Sequence, residues 1–304
     1  MMISNRSTED PQRYRVLIPI ANPACPAVLL PPAIKAAKER HGHIILLHTI
    51  VVPKQLPFSA GRRYVDESPP LLKEVSGVVE AQGISVKVSI RISHRADQAI
   101  IEPVIDENVN LLVMGWRGCS RSIFTTFGKE IDQVIDRAGS ETLIIQQTNI
   151  QPFRNLLIAS ADPAQTVATL QMAGFLAENE ASTLEVLHVF PRTADAGERE
   201  KLISAIREDI ARYREDQGKR APSITFKTID ASNPVAAIAK AAGEFDWVVL
   251  SSTRDSWLKR KLLRSKMKQI ARGIEPPLII FLSKTPRMKF GIHKIHHCLR
   301  GSYE

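Results

Sequence analysis

The sequence predicts an α/β protein of two doubly wound domains, each a parallel sheet with helices on both faces. Three observations predict it. Strand-like and helix-like segments alternate along the chain, the pattern of a parallel sheet wrapped by crossover helices. The second half repeats the first, with LLIASAD at Leu156–Asp162 answering VLIPIAN at Val16–Asn22. The 304 residues are 44% hydrophobic and 24% charged, a globular balance with material for two cores. Aromatic residues are only 6%, so aliphatic side chains must fill those cores.

Tyr14–Ile20 is a short apolar run and reads as the first, buried strand. Pro31–Arg40 has helical composition, and His43–Val51, rich in Ile, Leu and Val, is a second strand. Pro70–Gln82 places Leu71, Leu72, Val75, Val78 and Val79 at helical spacing. Ser85–Ile92 alternates apolar and polar residues as a third strand, followed by a helix over Ala96–Asp106. Leu111–Gly115 is a fourth strand, Gly128–Arg137 a helix and Thr142–Ile145 a fifth strand. In the second half, Leu184–Arg192 matches Ile44–Lys54, Trp247–Asp255 matches Leu111–Gly118, and Pro276–Ile280 matches Glu141–Ile145. So long a repeat is a duplicated domain and not a solenoid unit. The short junction around Gln146–Phe153 implies that the domains pack closely.

No apolar run approaches the roughly 20 residues of a membrane helix. Met1–Arg15 is polar and lacks the apolar core of a secretion signal, which points to a free, cytoplasmic protein. Cys25, Cys119 and Cys298 are scattered thiols, better suited to a reducing compartment than to a disulfide scaffold. The net charge of +9 is localised: residues 251–304 carry 13 Lys/Arg against 3 Asp/Glu, and the rest is nearly neutral. A local excess implies a local contact and excludes a protein that coats nucleic acid with its whole surface.

The most informative segment is Met114–Ile135. Gly115 closes a strand, Gly118 follows after two residues, and Gly128 opens a helix after nine more. Such glycines can bring backbone N–H groups close to a phosphate beside a helix N-terminus, with Arg117 and Lys129 adding charge. The alternative is a loop that only turns the chain. The spacing fits neither the P-loop nor the Rossmann fingerprint. His41-Gly42-His43 precedes the second strand and reads as a helix-terminating turn. His48 and His188 occupy the same place in the two copies, as rim histidines or as acid-base groups.

With Met114-Gly115, Arg117-Gly118 and Gly128-Lys129 following a fourth strand, the chain resembles the universal stress protein family. The resemblance covers about residues 13–149 and 153–283. It implies two flavodoxin-like (adenine nucleotide alpha hydrolase-like) domains, each a five-stranded parallel sheet of order 3-2-1-4-5. It also implies ATP, with Mg²⁺, across the strand ends of the first domain. The base would lie near Ile20, Ala21 and Ile50, and the phosphates near Met114, Gly115, Arg117, Gly118, Gly128 and Lys129. Tandem pairs of this family occur as free proteins and as tails of transporters.

The sequence departs from the family pattern in several places. Ala21 and Ala161 stand where nucleotide-binding members carry an Asp. Lys129 replaces a hydroxyl residue, and Glu130 beside it repels phosphate. Trp116, where a small residue is common, either stacks on a base or caps the domain interface. Aligned with the first copy, the second places Ser252 at Gly115 and has no glycine in its loop. The second domain is thus expected to be a structural or pairing module.

That loop is basic, with Arg254, Lys259, Arg260, Lys261, Arg264, Lys266 and Lys268 around Trp257 and leucines. Residues 254–268 could rest on an anionic membrane surface or an acidic partner, or be a solvated loop. No specific nucleic-acid motif is present. The tail over 284–304 is basic and carries His293, His296, His297 and Cys298; histidines at this spacing can share a metal, and adventitious binding is expected ahead of a built site. There is no nucleophile elbow, HExxH or paired-carboxylate signature, so regulation is expected ahead of catalysis, with slow ATP hydrolysis left open. The sequence thus supports two functions. One is an ATP-responsive stress module. The other is a non-nucleotide module that pairs through sheet edges, as a homodimer, and docks on a transporter, membrane or acidic partner.

Overall fold

The computed structural model describes residues 13–20, 25–67, 69–116, 128–146, 152–159, 165–177, 181–218, 221–253 and 261–283. The strands are β1 (Arg15–Ile20), β2 (His43–Val51), β3 (Val86–Ser93), β4 (Leu111–Trp116) and β5 (Glu141–Gln146) in the first half. The second half has β6 (Asn155–Ala159), β7 (Thr183–Phe190), β8 (Ser223–Asp230), β9 (Trp247–Thr253) and β10 (Leu278–Ser283). The helices are α1 (Cys25–Glu39), α2 (Arg62–Glu67), α3 (Pro69–Glu80), α4 (Ala96–Asp106) and α5 (Lys129–Arg137). They continue with α6 (Thr166–Leu176), α7 (Ala196–Gln217), α8 (Pro234–Ala242) and α9 (Lys261–Gly273).

Each half has the strand order 3-2-1-4-5, and the halves fuse into one ten-stranded sheet, β3-β2-β1-β4-β5-β10-β9-β6-β7-β8. All pairings are parallel except β5 with β10, which is antiparallel. There Ile144 pairs with Ile280, flanked by Ile145 with Ile279 and Leu143 with Phe281. The expected five-stranded sheets are therefore halves of a continuous one. The domain pairing has the self-complementary form of a two-fold dimer interface, with the pseudo-axis between Ile144 and Ile280.

The register corrects the alignment of the two copies. Arg15 pairs with His43 and Asn155 with Thr183, so β1 and β2 recur 140 residues on. Val16 pairs with Leu111, whereas Leu156 pairs with Trp247, so β4 recurs only 136 residues on. Ser251, and not Ser252, therefore stands at Gly115, and Ser252 stands at Trp116. The burial pattern agrees: Leu111 and Val113 join the same cluster as Trp247 and Val249. A one-residue slip would have put them on opposite faces.

One sheet face carries a core shared by both halves, with Val16, Ile18, Leu156, Ile158, α1 and α6 residues in a single cluster. The other face is divided. Leu17, Leu47, Met114 and Val134 form one cluster, and Leu157, Leu187, Met267 and Ile270 another. Trp116, Ile135 and Ile144 of the first half belong to that second cluster, so Trp116 packs into the junction.

Helix α1 begins at Cys25, earlier than its composition suggested, and passes through Pro31 and Pro32. Proline costs a helix interior about 3 kcal/mol or more. Burial of Val28, Leu29, Ala33, Ala36 and Ala37 offsets that cost. Across the junction, Lys35 Nζ donates to the carbonyls of Gly174 (2.6 Å) and Ala177 (3.0 Å), the carboxyl end of α6. A cation there satisfies orphan carbonyls and complements the helix dipole. No helix among the described residues is long and apolar enough to cross a membrane.

Candidate functional site

The topological switch point of the first half lies between β1 and β4, where ligands bind in sheets of this kind. Ile20 ends β1 and is buried on the face shared by both halves. Ile50, near the end of β2, is also buried. Met114 is buried on the opposite face with Leu47, Leu112 and Val134. The strand ends thus bring Ile20, Ile50, Met114 and Gly115 to one rim, but the Ile20 and Met114 side chains point to opposite sides of the sheet. Ala21, Ala161, Arg117 and Gly118 lie outside the described residues. So do Arg254–Arg260, the 284–304 tail and its histidines.

Gly128 is the N-cap of α5, at φ 112° and ψ 154°. That conformation is closed to L side chains, although space for a Cβ is open, so the backbone alone requires glycine. Lys129 follows, exposed, at the first position of the helix. Glu130 and Asp132 stand in the same first turn, where they complement the helix dipole and oppose a bare anion.

Beside this turn is a cavity of about 220 Å³ faced by Lys54, His94, Arg95, Asp97, Lys129, Glu130 and Gln133. Arg95 donates from Nε to Asp97 Oδ1 (3.0 Å), and from Nη2 to Asp97 Oδ2 (2.5 Å) and Gln133 Oε1 (2.6 Å). The Arg95 hydrogen bond holds the buried Asp97 carboxyl below the usual aspartate range. Arg95 is therefore spent on bracing α4 against α5, and Lys54 and Lys129 are the cations left to face a ligand, with the His94 ring beside them. The His94 ring stacks on Phe58 at 4.4 Å, and its Nδ1 lies 3.0 Å from the Val52 carbonyl. The 3₁₀ turn Phe58–Gly61 is pressed on the strand ends: a Cβ on Gly61 would meet Ile92 at 2.7 Å and Val52 at 2.9 Å. Sequence reasoning missed Lys54, His94 and Asp97. The signal for His94 and Asp97 was His-Arg-Ala-Asp at the β3–α4 junction, with the acid in the first helical turn.

His48 Nδ1 lies 2.9 Å from the Ile20 carbonyl, so it ties β2 to the last residue of β1. His188 is its counterpart, buried and packed edge-on against Phe190 with ring centres 4.6 Å apart. Both are rim histidines.

The second half has a different rim. A cavity of about 520 Å³ opens at the carboxyl ends of β6, β7 and β9, between α8 and α9. Its walls include Leu187, Leu250, Met267 and Ile270, and its polar groups are His188, Ser232, Ser251 and Lys266. Sequence reasoning had assigned this half no cavity.

A sequence model described as the Universal stress protein family matches residues 13–146 and 152–281. The Na(+)/H(+) antiporter NhaS5 of Synechocystis sp. is 22% identical over 272 residues, which cover 88% of this chain and 38% of that protein. The chain thus spans well under half the length of that curated relative. A universal stress protein from Archaeoglobus fulgidus superposes with a TM-score of 0.61 at 18% identity, covering 89% of this chain and 98% of the other. The cytoplasmic domain of a prokaryotic cation chloride cotransporter superposes with a TM-score of 0.51 at 12% identity, covering 89% and 96%. Two matched segments, each coinciding with one half of the sheet, place this chain in the universal stress protein family as a tandem of two such domains.

Proposed function

We propose that the chain is a cytoplasmic regulatory module whose first domain takes ATP, with Mg²⁺, at the ends of its strands. The observation that carries this reading is Gly128: its positive φ opens α5 beside a cavity faced by Lys54, His94 and Lys129. A helix N-terminus with nearby cations suits phosphate. Glu130 and Asp132 disfavour a bare polyanion, which is why the reading requires the metal to neutralise part of the charge. Ile20, Ala21 and Ile50 would border the base; Met114, Gly115, Arg117, Gly118, Gly128 and Lys129 would border the phosphates.

Isothermal titration calorimetry with ATP and Mg²⁺ at two salt concentrations tests it. Saturable binding near one per chain is expected, weakening with salt. The Gly128→Val variant should fold and lose binding. Absence of binding at millimolar ATP, or full affinity in that variant, overturns the site.

A second reading is supported by the antiporter relative, of which the matched region is a minor part. In it the chain docks on a transporter or membrane surface through the basic segment 254–268. Reversing Lys259, Arg260 and Lys261 would then abolish sedimentation with anionic liposomes, and unchanged sedimentation would count against docking on lipid.

A further inference from the structure

We infer that the second domain holds a ligand site of its own, for a small monocarboxylate with an apolar body. It does not depend on ATP binding in the first domain. The cavity of about 520 Å³ is within the range of small-molecule sites. Its depth is apolar: Leu187, Leu250, Met267 and Ile270 are buried there. Val189, Val235 and Ile238 line it too, yet each is only half-buried, so the fold leaves their apolar surface partly uncovered. An apolar ligand body would complete their burial.

The charge pattern defines the other end of the ligand. Recurrence of the strand registers sets Ser232 at the place of His94, Val235 at Asp97 and Lys266 at Glu130. Every carboxylate that faces the first-domain cavity is thus gone from the second, and a cation stands where one acid stood. Lys266 is exposed and lines the cavity, so it stands at the mouth, with His188, Ser232 and Ser251 as further hydrogen-bonding groups. Among the described residues one cation stands over an apolar chamber, which fits one acidic group on an apolar body. The chamber does not fit a triphosphate, because Ser251 replaces Gly115 at the strand end and no glycine follows in the loop.

The probe is an anilinonaphthalene sulfonate dye, whose fluorescence rises in apolar surroundings, titrated onto the full chain. One saturable site per chain is expected, with displacement by octanoate and none by saturating ATP and Mg²⁺. Ile238→Trp should fill the chamber, and Lys266→Glu, an exposed change that leaves the fold intact, should weaken dye binding about tenfold or more, the worth of one charge-assisted contact. Thermal melts confirm that both variants are folded. The proposal is overturned if Lys266→Glu binds like wild type, if octanoate fails to displace the dye, or if ATP displaces it. Gly128→Val should leave dye binding unchanged, so failure of the ATP site and failure of this one are read separately.

Discussion

The two halves share strand order and the rim histidine, yet their strand ends differ in almost every polar group. The first rim is small and charged, with Arg95 and Asp97 locked together and Lys54, His94 and Lys129 around them. The second is more than twice as large by volume and mostly apolar, with Lys266 the one lysine that lines it among the described residues. A duplicated fold keeps what the core needs, since Val16, Ile18, Leu156 and Ile158 are all fully buried in one cluster. It is free to change what faces outward from the strand ends, because those positions carry little of the packing.

The strongest way to break this comparison is to disable each rim in turn. Gly128→Val is expected to lower ATP affinity by at least about a hundredfold, because no L side chain holds φ 112° without distorting the start of α5. Ile238→Trp is expected to act only on the second site. Calorimetry with ATP and dye titration on both variants give the cross-table. If each variant impaired both ligands, the rims would be one coupled site and the contrast would fail.

A smaller effect tests whether the halves hold each other. Gly174 in α6 is buried against α7, where a Cβ would lie 2.2 Å from the Tyr213 hydroxyl oxygen. The carbonyl of the same glycine accepts from Lys35 of the first half. Gly174→Leu should therefore cost about 1–3 kcal/mol through overpacking. If the halves melt as one unit, chemical denaturation will remain a single transition at lower denaturant. Two separated transitions would show that the continuous sheet does not make them cooperative.

The fold was legible because buried parallel strands announce themselves as apolar runs, and β1, β2 and β4 each did so. The junction was not: nothing in Glu141–Gln146 distinguishes an edge strand from one that pairs with β10. The start of α1 was hidden by Pro31 and Pro32, whose local cost the core overrides. At the site, Gly128 was legible because a backbone constraint leaves a residue-type signature. His94 and Asp97 were not, because they meet Lys129 only through the packing of α4 on α5. The second cavity was hidden for a related reason. Its walls are ordinary apolar residues, and only the unequal recurrence of the strands, 140 residues for β2, 138 for β3 and 136 for β4, shows which positions they replace.

A finer test concerns the charged brace that only the first rim has. The Asp97 carboxyl titrates below its ordinary value of 3.8 because Arg95 hydrogen-bonds it. A depressed folded value means that the unfolded chain takes up the proton first as pH falls. The brace therefore stabilises fully above the unfolded value and loses its contribution as pH drops through the folded one. Asp97→Asn should melt a few degrees below wild type near neutrality, and the gap should close as pH falls below about 4. Val235, the counterpart in the second half, has no charge, so Val235→Ala should show a gap that does not change over the same range. A pH-independent gap for Asp97→Asn would mean that Asp97 acts through packing alone, and the electrostatic difference between the two rims would then rest on the lysines.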